Sequence, residues 1–291
     1  MADMLIRGVV RGVTGVVGAR VVAAVTTGVV AEARRRHVLH EAGTVALGRT
    51  ATAGLLFATL SKSVEERVTL QVLGDGPLGS VTVDADGAGA VRGFVRNPEV
   101  SLEAGPRRPS LRKVIGSGLV AVIRDLGRGT MYRGSTEIAA GEIDEDLEAY
   151  LAKSEQVESA LGCDVVLGGS AGGVLVQCLP DGDVAAVAAA RRRLRDGALH
   201  AALAAGADDA AELARRVAGD GIEVLDERPV VFRCGCSRER VASALALVGA
   251  AELRSMLDED GGAEVTCNFC RERYRLGREE LLRMLDGLAQ A

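Results

Sequence analysis

The first part of the chain alternates between runs with strand periodicity and runs with helix periodicity. Met4 to Val10 and Val16 to Val25 are rich in β-branched residues, which is typical of strands. Thr27 to His40 and Ala42 to Leu60 instead place small and aliphatic residues at helical spacing. We therefore predict that the chain begins with two strands followed by two helices.

Three short alternating runs come next: Arg67 to Leu73, Ser80 to Asp84 and Ala90 to Arg96. Gly74-Asp75-Gly76-Pro77 separates the first two and Asp86-Gly87 separates the last two, and both are turn signals. Alternation of polar and apolar residues indicates strands with one buried face. This segment is predicted to be an antiparallel meander.

The pattern continues with further hairpins. Leu119 to Asp125 and Thr130 to Glu137 are predicted to pair. A helix is predicted from about Asp144 to Lys153. A last hairpin is predicted to pair Asp164 to Leu167 with Val174 to Leu179. Strands that pair with their neighbours, interspersed with a few helices, indicate an α+β domain.

We place the end of this N-terminal domain at residue 180, because residues 181–230 are rich in Ala and charged residues and poor in large aliphatic ones. Ala has a high helix propensity but buries little area. Residues 181–230 are therefore predicted to be a helical linker that tertiary contacts hold only marginally. Asp208 or Asp209 is the expected N-cap of a helix running towards Val217. An ordinary, stable helical connector remains open as an interpretation of the same residues.

Residues 231–291 have the pattern of a small domain. One or two helices are predicted between Ser237 and Leu257, then a hairpin that carries the last two cysteines, and then a helix from Arg278. A chain of roughly 60 residues is marginal for a free-standing hydrophobic core. We expect a bound metal ion to supply stability that burial of apolar area does not.

Composition and charge narrow the classes of function. Hydrophobic residues make up 48% of the 291-residue chain, but aromatic residues make up only 2% and Trp is absent. Few rings are thus present on which nucleic-acid bases could stack. The net charge of -5, from 35 basic and 40 acidic residues, shows no excess that would attract phosphate backbones or anionic lipids. We expect a soluble protein with no nucleic-acid and no membrane partner.

The N-terminus lacks the features of a secretory signal. Asp3 is acidic where a signal peptide carries positive charge, and Arg7, Arg11 and Arg20 interrupt the apolar run. The longest uncharged stretch, Val21 to Ala31, falls short of the roughly 18 residues that span a bilayer. We therefore expect a cytoplasmic protein whose six cysteines stay reduced, so that their spacing indicates metal binding or thiol chemistry.

Four of the cysteines form two close pairs, Cys234-Gly235-Cys236 and Cys267-Asn268-Phe269-Cys270. Two such pairs can surround one zinc ion, so we predict one Zn²⁺ per chain in the reduced state, bound by Cys234, Cys236, Cys267 and Cys270. A closed set of four sulfurs leaves no position for a substrate, and we expect no catalytic residues and no enzyme activity. The predicted fold class is α+β, with an N-terminal mixed α/β-sheet domain, a helical Ala-rich linker and a small C-terminal zinc-binding domain.

The residues alone leave two alternative roles open for this zinc site, a redox switch and a structural zinc knuckle. A C-x-C pair lies outside the usual structural spacing of about two to four intervening residues, and thiolates held by a cation remain nucleophilic towards peroxide or hypochlorous acid. Disulfides joining Cys234 to Cys236 and Cys267 to Cys270 would expel the metal and unfold the small domain. A purely structural zinc knuckle fits the same spacing.

Other chemistry-bearing residues are assigned structural roles. Cys163 and Cys178 lie in apolar strand contexts and are predicted to be core residues. Gly74 to Gly79 matches the dinucleotide-binding pattern G-x-G-x-x-G, but a strand rather than a helix follows it, so a tight hairpin is predicted. No hydrolase triad is apparent around the three histidines, which are His37, His40 and His200.

Two other classes of function compete for the cysteine site. A thiol-disulfide oxidoreductase would use Cys267 and Cys270, but that chemistry favours a CxxC at the start of a helix in a βαβ unit. A zinc-ribbon nucleic-acid-binding protein would use the arginines around Tyr274, which are Arg271, Arg273, Arg275 and Arg278. Binding of single strands that weakens steeply with added salt would favour this second alternative over a solvated face.

Several segments of the chain resemble one known family. Around the cysteines they are Phe232-Arg233-Cys234-Gly235-Cys236-Ser237-Arg238-Glu239-Arg240 and Cys267-Asn268-Phe269-Cys270. In the N-terminal part they are Gln71-Val72-Leu73-Gly74-Asp75-Gly76-Pro77, Val91-Arg92-Gly93, Ser154-Glu155-Gln156 and Gly172-Gly173-Val174-Leu175-Val176-Gln177. In these motifs, which extend over essentially the whole chain, the sequence resembles the heat-shock protein 33 family, the redox-regulated 33 kDa chaperonins.

The resemblance implies an ATP-independent holdase chaperone rather than an enzyme. It implies a protein that is inactive when reduced and zinc-bound; oxidation would release zinc, melt the linker and expose surfaces that hold unfolding client proteins, often as a homodimer. The zinc-ligand positions of the family correspond to Cys234, Cys236, Cys267 and Cys270. The expected function is protection of unfolding proteins from aggregation under oxidative stress, with client surfaces on the linker and the N-terminal domain.

Overall fold

The computed structural model describes residues 3–11, 17–60, 63, 65–102, 108–127, 129–180, 182 and 184–289. The chain divides into two compact units, Met1–Arg233 and Cys234–Ala291. The boundary falls directly before the first cysteine of the C-x-C pair. The finer division of the larger unit into a core domain, residues 1–180, and a linker, residues 181–230, stays a prediction.

The larger unit contains strands and helices in mixed order. In chain order they are β1 (Met4–Arg11), β2 (Val17–Val25), α1 (Thr27–His37), α2 (Glu41–Ala58), β3 (Arg67–Gly74), β4 (Ser80–Asp86), β5 (Ala90–Val95), α3 (Arg112–Ile115), β6 (Gly118–Asp125), β7 (Met131–Glu137), α4 (Ile143–Tyr150), β8 (Ser159–Val165), β9 (Ala171–Cys178), α5 (Val184–Arg195), α6 (Ala198–Ala204), α7 (Ala210–Ala218), β10 (Ile222–Pro229) and β11 (Val231–Phe232). A π-helical turn, Leu151–Glu155, extends α4.

Two sheets form the frame of this unit. The first has five strands in the order β10-β1-β2-β9-β8, and the second has six in the order β11-β5-β4-β3-β6-β7. Neighbouring strands are antiparallel except β11 and β5, which are parallel. The predicted meander forms the centre of the second sheet. Gly74 to Gly79 connects β3 to β4 as the predicted hairpin rather than as a nucleotide-binding loop.

Helix α2 fills the space between the two sheets. It contacts β3, β4 and β5 on one side and β2, β8 and β9 on the other. Residues 42–58 of this helix are all buried, which is expected of a helix in the centre of a core rather than at its surface. Small residues permit the close approach: a Cβ atom at Gly48 would lie 2.6 Å from Cγ2 of Val165 on β8.

Three helices in the predicted linker cover the face of the first sheet opposite α2. Helices α5, α6 and α7 contribute buried aliphatic residues to an apolar cluster: Val187, Leu199, Leu203, Leu213 and Val217. The strand residues beneath them include Ile6, Val21, Ala23, Val174 and Val176. These helices are therefore packed through several large side chains, although Ala dominates their composition.

The end of the predicted helical linker is a strand. Gly219, with a φ of 100°, ends α7, and Ile222-Glu223-Val224 then alternates with the period of a strand. This segment, β10, pairs along β1 from Met4 to Val10. A helix over these residues would have left the backbone groups of β1 without a partner on that side.

Most predicted elements of the larger unit are confirmed, and two boundaries differ. The strand predicted from Asp164 begins at Ser159; every residue of β8 is buried, so the alternation that marks a half-buried strand is absent. The helix predicted to end at Lys153 continues into the π-helical turn and ends at Gln156, whose φ is 56°. The predicted α+β fold class, with a helical linker region and a small cysteine-bearing C-terminal domain, is confirmed.

The smaller unit holds α8 (Arg238–Ala246), α9 (Ala250–Glu259), β12 (Gly262–Thr266), β13 (Arg273–Gly277) and α10 (Arg278–Ala289). Ser237 caps α8, since its side chain accepts a hydrogen bond from the Arg240 amide. The core of the unit is small and aliphatic: Val241, Leu245, Leu253, Leu257, Leu276, Leu281 and Leu285. Across the described residues of both units, no helix combines the length and apolar character needed to cross a membrane.

Candidate metal centre

Two loops of the smaller unit bring four cysteines together. Cys234 and Cys236 lie in the extended segment between β11 and α8. Cys267 and Cys270 lie in the turn between the antiparallel strands β12 and β13. The turn is tightened by the amide of Cys267, which donates to the carbonyl oxygen of Glu272 at 2.9 Å. Both pairs therefore occupy loops whose positions are set by neighbouring elements.

The four sulfur atoms form a compact cluster. The Sγ atoms of Cys234, Cys236, Cys267 and Cys270 all lie within 4.8 Å of one another. The Sγ atoms of Cys234 and Cys267 are 3.8 Å apart, and those of Cys236 and Cys270 are 3.3 Å apart. A tetrahedral zinc site with Zn–S bonds of about 2.3 Å requires S–S separations of about 3.8 Å. The sulfurs brought together here fit that requirement.

Burial changes the acidity of this cluster. Cys270 is buried, and the other three cysteines are half-buried. Burial raises the pKa of Cys270 and also that of Cys267, although the amides of Cys270 and Phe269 donate to the Cys267 sulfur and favour its thiolate. Without a nearby cation the sulfurs of Cys267 and Cys270 favour the protonated form, whereas a soft divalent cation stabilises the thiolates. Four thiolates are a donor set for zinc rather than for calcium or magnesium.

One hydrogen bond to the cluster comes from an aromatic side chain. The hydroxyl of Tyr274, on β13, donates to Sγ of Cys236 at 3.0 Å. This bond raises the pKa of the phenol and holds the sulfur in one orientation. In the sequence alone, Tyr274 is notable only as the centre of four arginines. Tyr274 lies on the strand that follows the second cysteine pair, and this position in the sequence could have indicated its role.

The surroundings of the cysteines weaken both alternative functions. Arg275 Nε lies 2.7 Å, and Arg273 Nη1 3.9 Å, from carboxylate oxygens of Glu264 on the neighbouring strand. Part of the positive charge near Tyr274 is thus neutralised within the unit, which weakens the nucleic-acid alternative. The CxxC lies in a hairpin turn and not at the start of a helix, which weakens the oxidoreductase alternative.

The remaining cysteines lie in the first sheet of the larger unit. Cys163, on β8, is fully buried, and burial raises the pKa of its thiol well above the ordinary value, which makes it unreactive. Its assignment to the core is confirmed. Cys178, at the end of β9, is only half-buried and contacts the carbonyl oxygen of Leu179 at 3.5 Å. This second cysteine therefore lies at the edge of the core rather than inside it.

A buried charged network in the larger unit was not predicted. Arg49, in α2, is fully buried and donates to Asp164 at 2.8 Å and to Glu142 at 3.0 Å. Nδ1 of His200, on α6, lies 2.6 Å from the second carboxylate oxygen of Asp164. His200 thus ties a helix of the predicted linker to β8. The sequence feature that could have indicated this network is a single arginine in the middle of the apolar run Ala42 to Leu60.

Comparisons with known proteins agree with one another. A model of the Hsp33 protein family matches residues 8–277. The chain is 40% identical over 301 residues to a 33 kDa chaperonin of Gloeobacter violaceus, covering 99% of this chain and 97% of that protein. It is also 40% identical over 299 residues to a 33 kDa chaperonin of Symbiobacterium thermophilum, covering 99% of each. The crystal structure of a 33 kDa chaperonin, a heat shock protein 33 homologue, from Thermotoga maritima matches with a TM-score of 0.87 and 29% identity over 100% of both chains.

Proposed function

This chain belongs to the Hsp33 family of chaperones, and from that premise we propose that it is an ATP-independent holdase switched on by oxidation of its cysteine cluster. The observation that supports the proposal is the convergence of Cys234, Cys236, Cys267 and Cys270 on one point. Under oxidative stress the active form binds unfolding proteins and keeps them from aggregating. The cluster acts as a sensor, and we assign it no catalytic role.

In the reduced state, we propose, the four sulfurs hold one Zn²⁺. Bound zinc supplies a cation that keeps the sulfurs ionised and joins the two loops. The chain supports this state through Tyr274, which donates to Cys236, and through the amides of Phe269 and Cys270, which donate to Cys267. Because the smaller unit buries only a small aliphatic core, joining the loops contributes to its folding.

Oxidation converts each cysteine pair into a disulfide. A peroxide oxidises one thiolate of a pair to the sulfenic acid, and its O–O bond breaks with release of hydroxide. The second thiolate attacks the sulfenyl sulfur, forms the S–S bond and releases a second hydroxide. We propose that Cys234 pairs with Cys236 and Cys267 with Cys270, because these disulfides close the shortest loops. Neither disulfide can act as a thiolate ligand, so the two loops are no longer joined.

Tryptic peptides of the oxidised chain test the pairing. Trypsin cleaves at four arginines around the cysteines, Arg233, Arg238, Arg254 and Arg271. Each proposed disulfide therefore lies within one peptide, residues 234–238 or 255–271, and makes it lighter by two hydrogens. A crosswise disulfide, such as one between Cys234 and Cys267, whose sulfurs are 3.8 Å apart, would join the two peptides. A joined species as the main product would contradict the proposed pairing.

The client surface that we propose lies beneath the linker helices. Helices α5 to α7 cover an apolar strand surface that includes Ile6, Val21, Val174 and Val176. Detachment of these helices would expose that surface to unfolding proteins. The predicted linker ends within β10, and β11 then leads directly to Cys234, so we propose that unfolding of the smaller unit loosens this end of the linker. We further propose that the oxidised form assembles as a homodimer and that the protein is cytoplasmic, where thiols stay reduced until stress.

Zinc release and suppression of aggregation, followed in one sample without ATP, test the proposed function. The reduced chain is compared with the chain treated with peroxide under mild unfolding stress. A chromogenic chelator reports zinc, and light scattering of an unfolding client reports protection. Both signals should rise together, and thiol reductant should reverse the protection. Cys178→Ser, which alters a thiol outside the cluster, should respond like the wild type.

Two results would contradict the proposal. Zinc release without protection of the client would leave the site with a structural role only. Loss of the response in Cys178→Ser would assign the sensing to a thiol of the larger unit, since Cys178 lies at the end of β9.

A further inference from the structure

A row of polar side chains crosses one end of the first sheet on the face towards α2. Arg20 on β2 is paired with Gln177 on β9, and Gln177 is paired with Ser159 on β8. Arg20 is also paired with Val9 on β1, and Arg7 lies two residues earlier on the same face of that strand. This face is otherwise apolar and includes Leu5, Val22 and Leu175. The two arginines are thus neighbours at the end of an apolar surface.

Two guanidinium nitrogens in this row have no hydrogen-bond acceptor in the part of the chain that the structure describes. They are Nε of Arg7 and Nε of Arg20, and both are buried. Arg20 directs one Nη towards the amide oxygen of Gln177, which is a neutral group. A guanidinium has five N–H donors and no acceptor, and a buried donor without a partner costs stability. Both side chains therefore present unused donors in the same part of the sheet.

The charges around Arg20 are mostly positive. Those that act on it, among the described residues, belong to Arg7, Arg124 and Glu155. Glu155 is already engaged by Arg124, whose Nη2 lies 2.8 Å from its carboxylate. Burial, followed by the charges of Arg7 and Arg124, lowers the pKa of Arg20. Among the described residues, Glu155 is thus the one carboxylate whose charge acts on Arg20, and Arg124 already engages it.

We propose that Arg7, Arg20 and Arg124 form a binding site for a phosphate-like oxyanion. A group of neighbouring cations attracts a phosphate dianion, and the planar guanidinium fork matches the spacing of its oxygens. All three arginines are half-buried, so part of each side chain remains open to solvent while water screens the charges only partly. None of the four clustered cysteines contributes to this site, so it goes beyond the redox switch.

Thermal unfolding of the reduced, zinc-bound full chain in inorganic phosphate tests this site. Potassium phosphate is compared with potassium chloride and potassium acetate at the same pH and ionic strength. A ligand that binds only the folded state raises the Tm with its concentration. We expect a rise of roughly 2 to 5 °C at about ten times the Kd of phosphate, levelling off above it. Chloride and acetate should produce no such rise.

Two variants and a control locate the effect. Arg7→Gln and Arg20→Gln each remove one cation of the proposed site and should abolish the rise in phosphate. In chloride they should not lower the Tm, because removing one of two neighbouring cations relieves repulsion. Arg35→Gln removes an exposed arginine of α1 that pairs with Glu32, and it should keep the full response to phosphate. A structural role for Arg7 would instead lower the Tm of Arg7→Gln in every salt.

Calorimetric titration of phosphate supplies a second measurement, and we expect Arg7→Gln to bind it at least about tenfold more weakly than the wild type. If Arg20→Gln does not fold, Arg7→Gln decides the question. Equal stabilisation of the wild type and both variants by phosphate would overturn the proposal, because it would reflect general exclusion of the salt from protein surfaces. An equal rise in acetate would overturn the assignment to a phosphate-like ion.

Discussion

Arg49 is the residue on which several segments of the larger unit converge. Its guanidinium donates to Asp164 at 2.8 Å, to Glu142 at 3.0 Å and to the carbonyl oxygen of Pro109 at 2.9 Å. A buried ion is tolerated when its donors are matched, and removal of one partner leaves an uncompensated charge in the interior. The helix between the sheets is therefore fixed to β8 and to the segment before α4 by one side chain.

Replacing Arg49 by leucine should lower the free energy of unfolding by about 3 to 5 kcal/mol, because it leaves the Asp164 carboxylate buried beside fewer cations. Urea unfolding of the reduced, zinc-bound chain, followed by circular dichroism, measures the change. Arg35→Leu is the matched control; its partner Glu32 lies at the surface, and its effect should be far smaller. Equal effects of the two substitutions would show that the network contributes nothing specific.

Because of the charged network around Arg49, we expect the free energy of unfolding to depend on pH. Burial alone would raise the pKa of Asp164, but Arg49, Arg108 and the hydrogen bond with His200 outweigh it and hold the pKa below its ordinary value. Stability from such a group is present above the unfolded pKa of about 3.9 and is lost as the pH falls through the lower folded value. The deficit of Arg49→Leu should be full at neutral pH and shrink below about pH 4. A deficit that stays constant into that acid range would contradict this origin.

The hydroxyl of Tyr274 offers a prediction for the metal centre. Tyr274→Phe keeps the ring but removes the donor that lies 3.0 Å from Cys236 Sγ, and loss of such a bond should weaken zinc binding by about 10- to 100-fold. Competition with a chromogenic chelator under reducing conditions measures the affinity. Tyr132→Phe removes an exposed hydroxyl from β7 and should leave the affinity unchanged. Unchanged affinity in both variants would show that the hydrogen bond does not support the metal.

Residues differ in how far the sequence predicts their roles. The cysteines converge as expected because C-x-C and C-x-x-C each fix two sulfurs close together along the chain. Arg49 and Asp164 meet through the packing of α2 on β8, and no local pattern relates them. Tyr274 reaches Cys236 only once β12 and β13 have paired. Chemistry that depends on contacts between distant segments was therefore missed.

Among the elements, α7 shows how the linker helices are held. The carboxylate of Asp209 accepts a hydrogen bond from the Ala211 amide at 2.8 Å, so the structure selects Asp209 over Asp208 as the predicted N-cap. Leu213 and Val217 on the same helix are fully buried against the first sheet. The cap, a narrow apolar stripe and a hydrogen bond from Arg193 to the Val217 carbonyl oxygen contribute to holding this helix.

Removing this cap should destabilise α7 locally. Asp209→Ala leaves an amide of the first turn without its acceptor, at a cost of about 0.5 to 2 kcal/mol. Hydrogen exchange across Ala210–Ala218 in the reduced chain should accelerate correspondingly. The neighbouring Asp208→Ala removes an exposed carboxylate that does not cap the helix and should leave exchange unchanged. Equal acceleration in the two variants would point to lost charge near the helix N-terminus rather than to the cap.

Strand β10 marks the limit of prediction at this scale. Helices and hairpins were predicted because periodicity and turn residues are local properties of the sequence. Strand β10 is a short edge strand whose partner, β1, lies at the other end of the larger unit. The alternation of polar and apolar residues in β10 extends over few residues and follows an Ala-rich helical stretch. The prediction from composition therefore placed these residues in the helical linker. Its assignment required knowledge of which edge of the sheet was available.

In the whole molecule, the two units depend on different kinds of interaction. The first sheet joins strands from the beginning, middle and end of the larger unit, and α2 is buried between both sheets. Such non-local order cannot be derived from periodicity, which predicts elements but not their neighbours. The smaller unit instead has one hairpin, three helices and a small aliphatic core within its described residues. It therefore depends more strongly on a link between its cysteine loops.

Zinc removal should consequently unfold the smaller unit and spare the larger one. With roughly 60 residues and a small aliphatic core, the smaller unit is expected to need the proposed metal to offset its conformational entropy. A strong chelator, added with thiol reductant so that no disulfide forms, should make hydrogen exchange fast throughout α8, α9 and α10 while β3 and β6 stay protected. The same chelator saturated with zinc beforehand is the control and should change nothing.

Either departure from this result would change the account of the switch. Retained protection in α8 to α10 would mean that the core formed by Leu253, Leu276 and Leu281 suffices without a metal. Oxidation could then not act by unfolding the smaller unit, and the proposed release of the linker would fail with it. Loss of protection in β3 as well would mean that the two units unfold together, so that the sensor would have no surface left to expose. Selective unfolding alone leaves a folded sheet beneath α5 to α7 for an unfolding protein to bind.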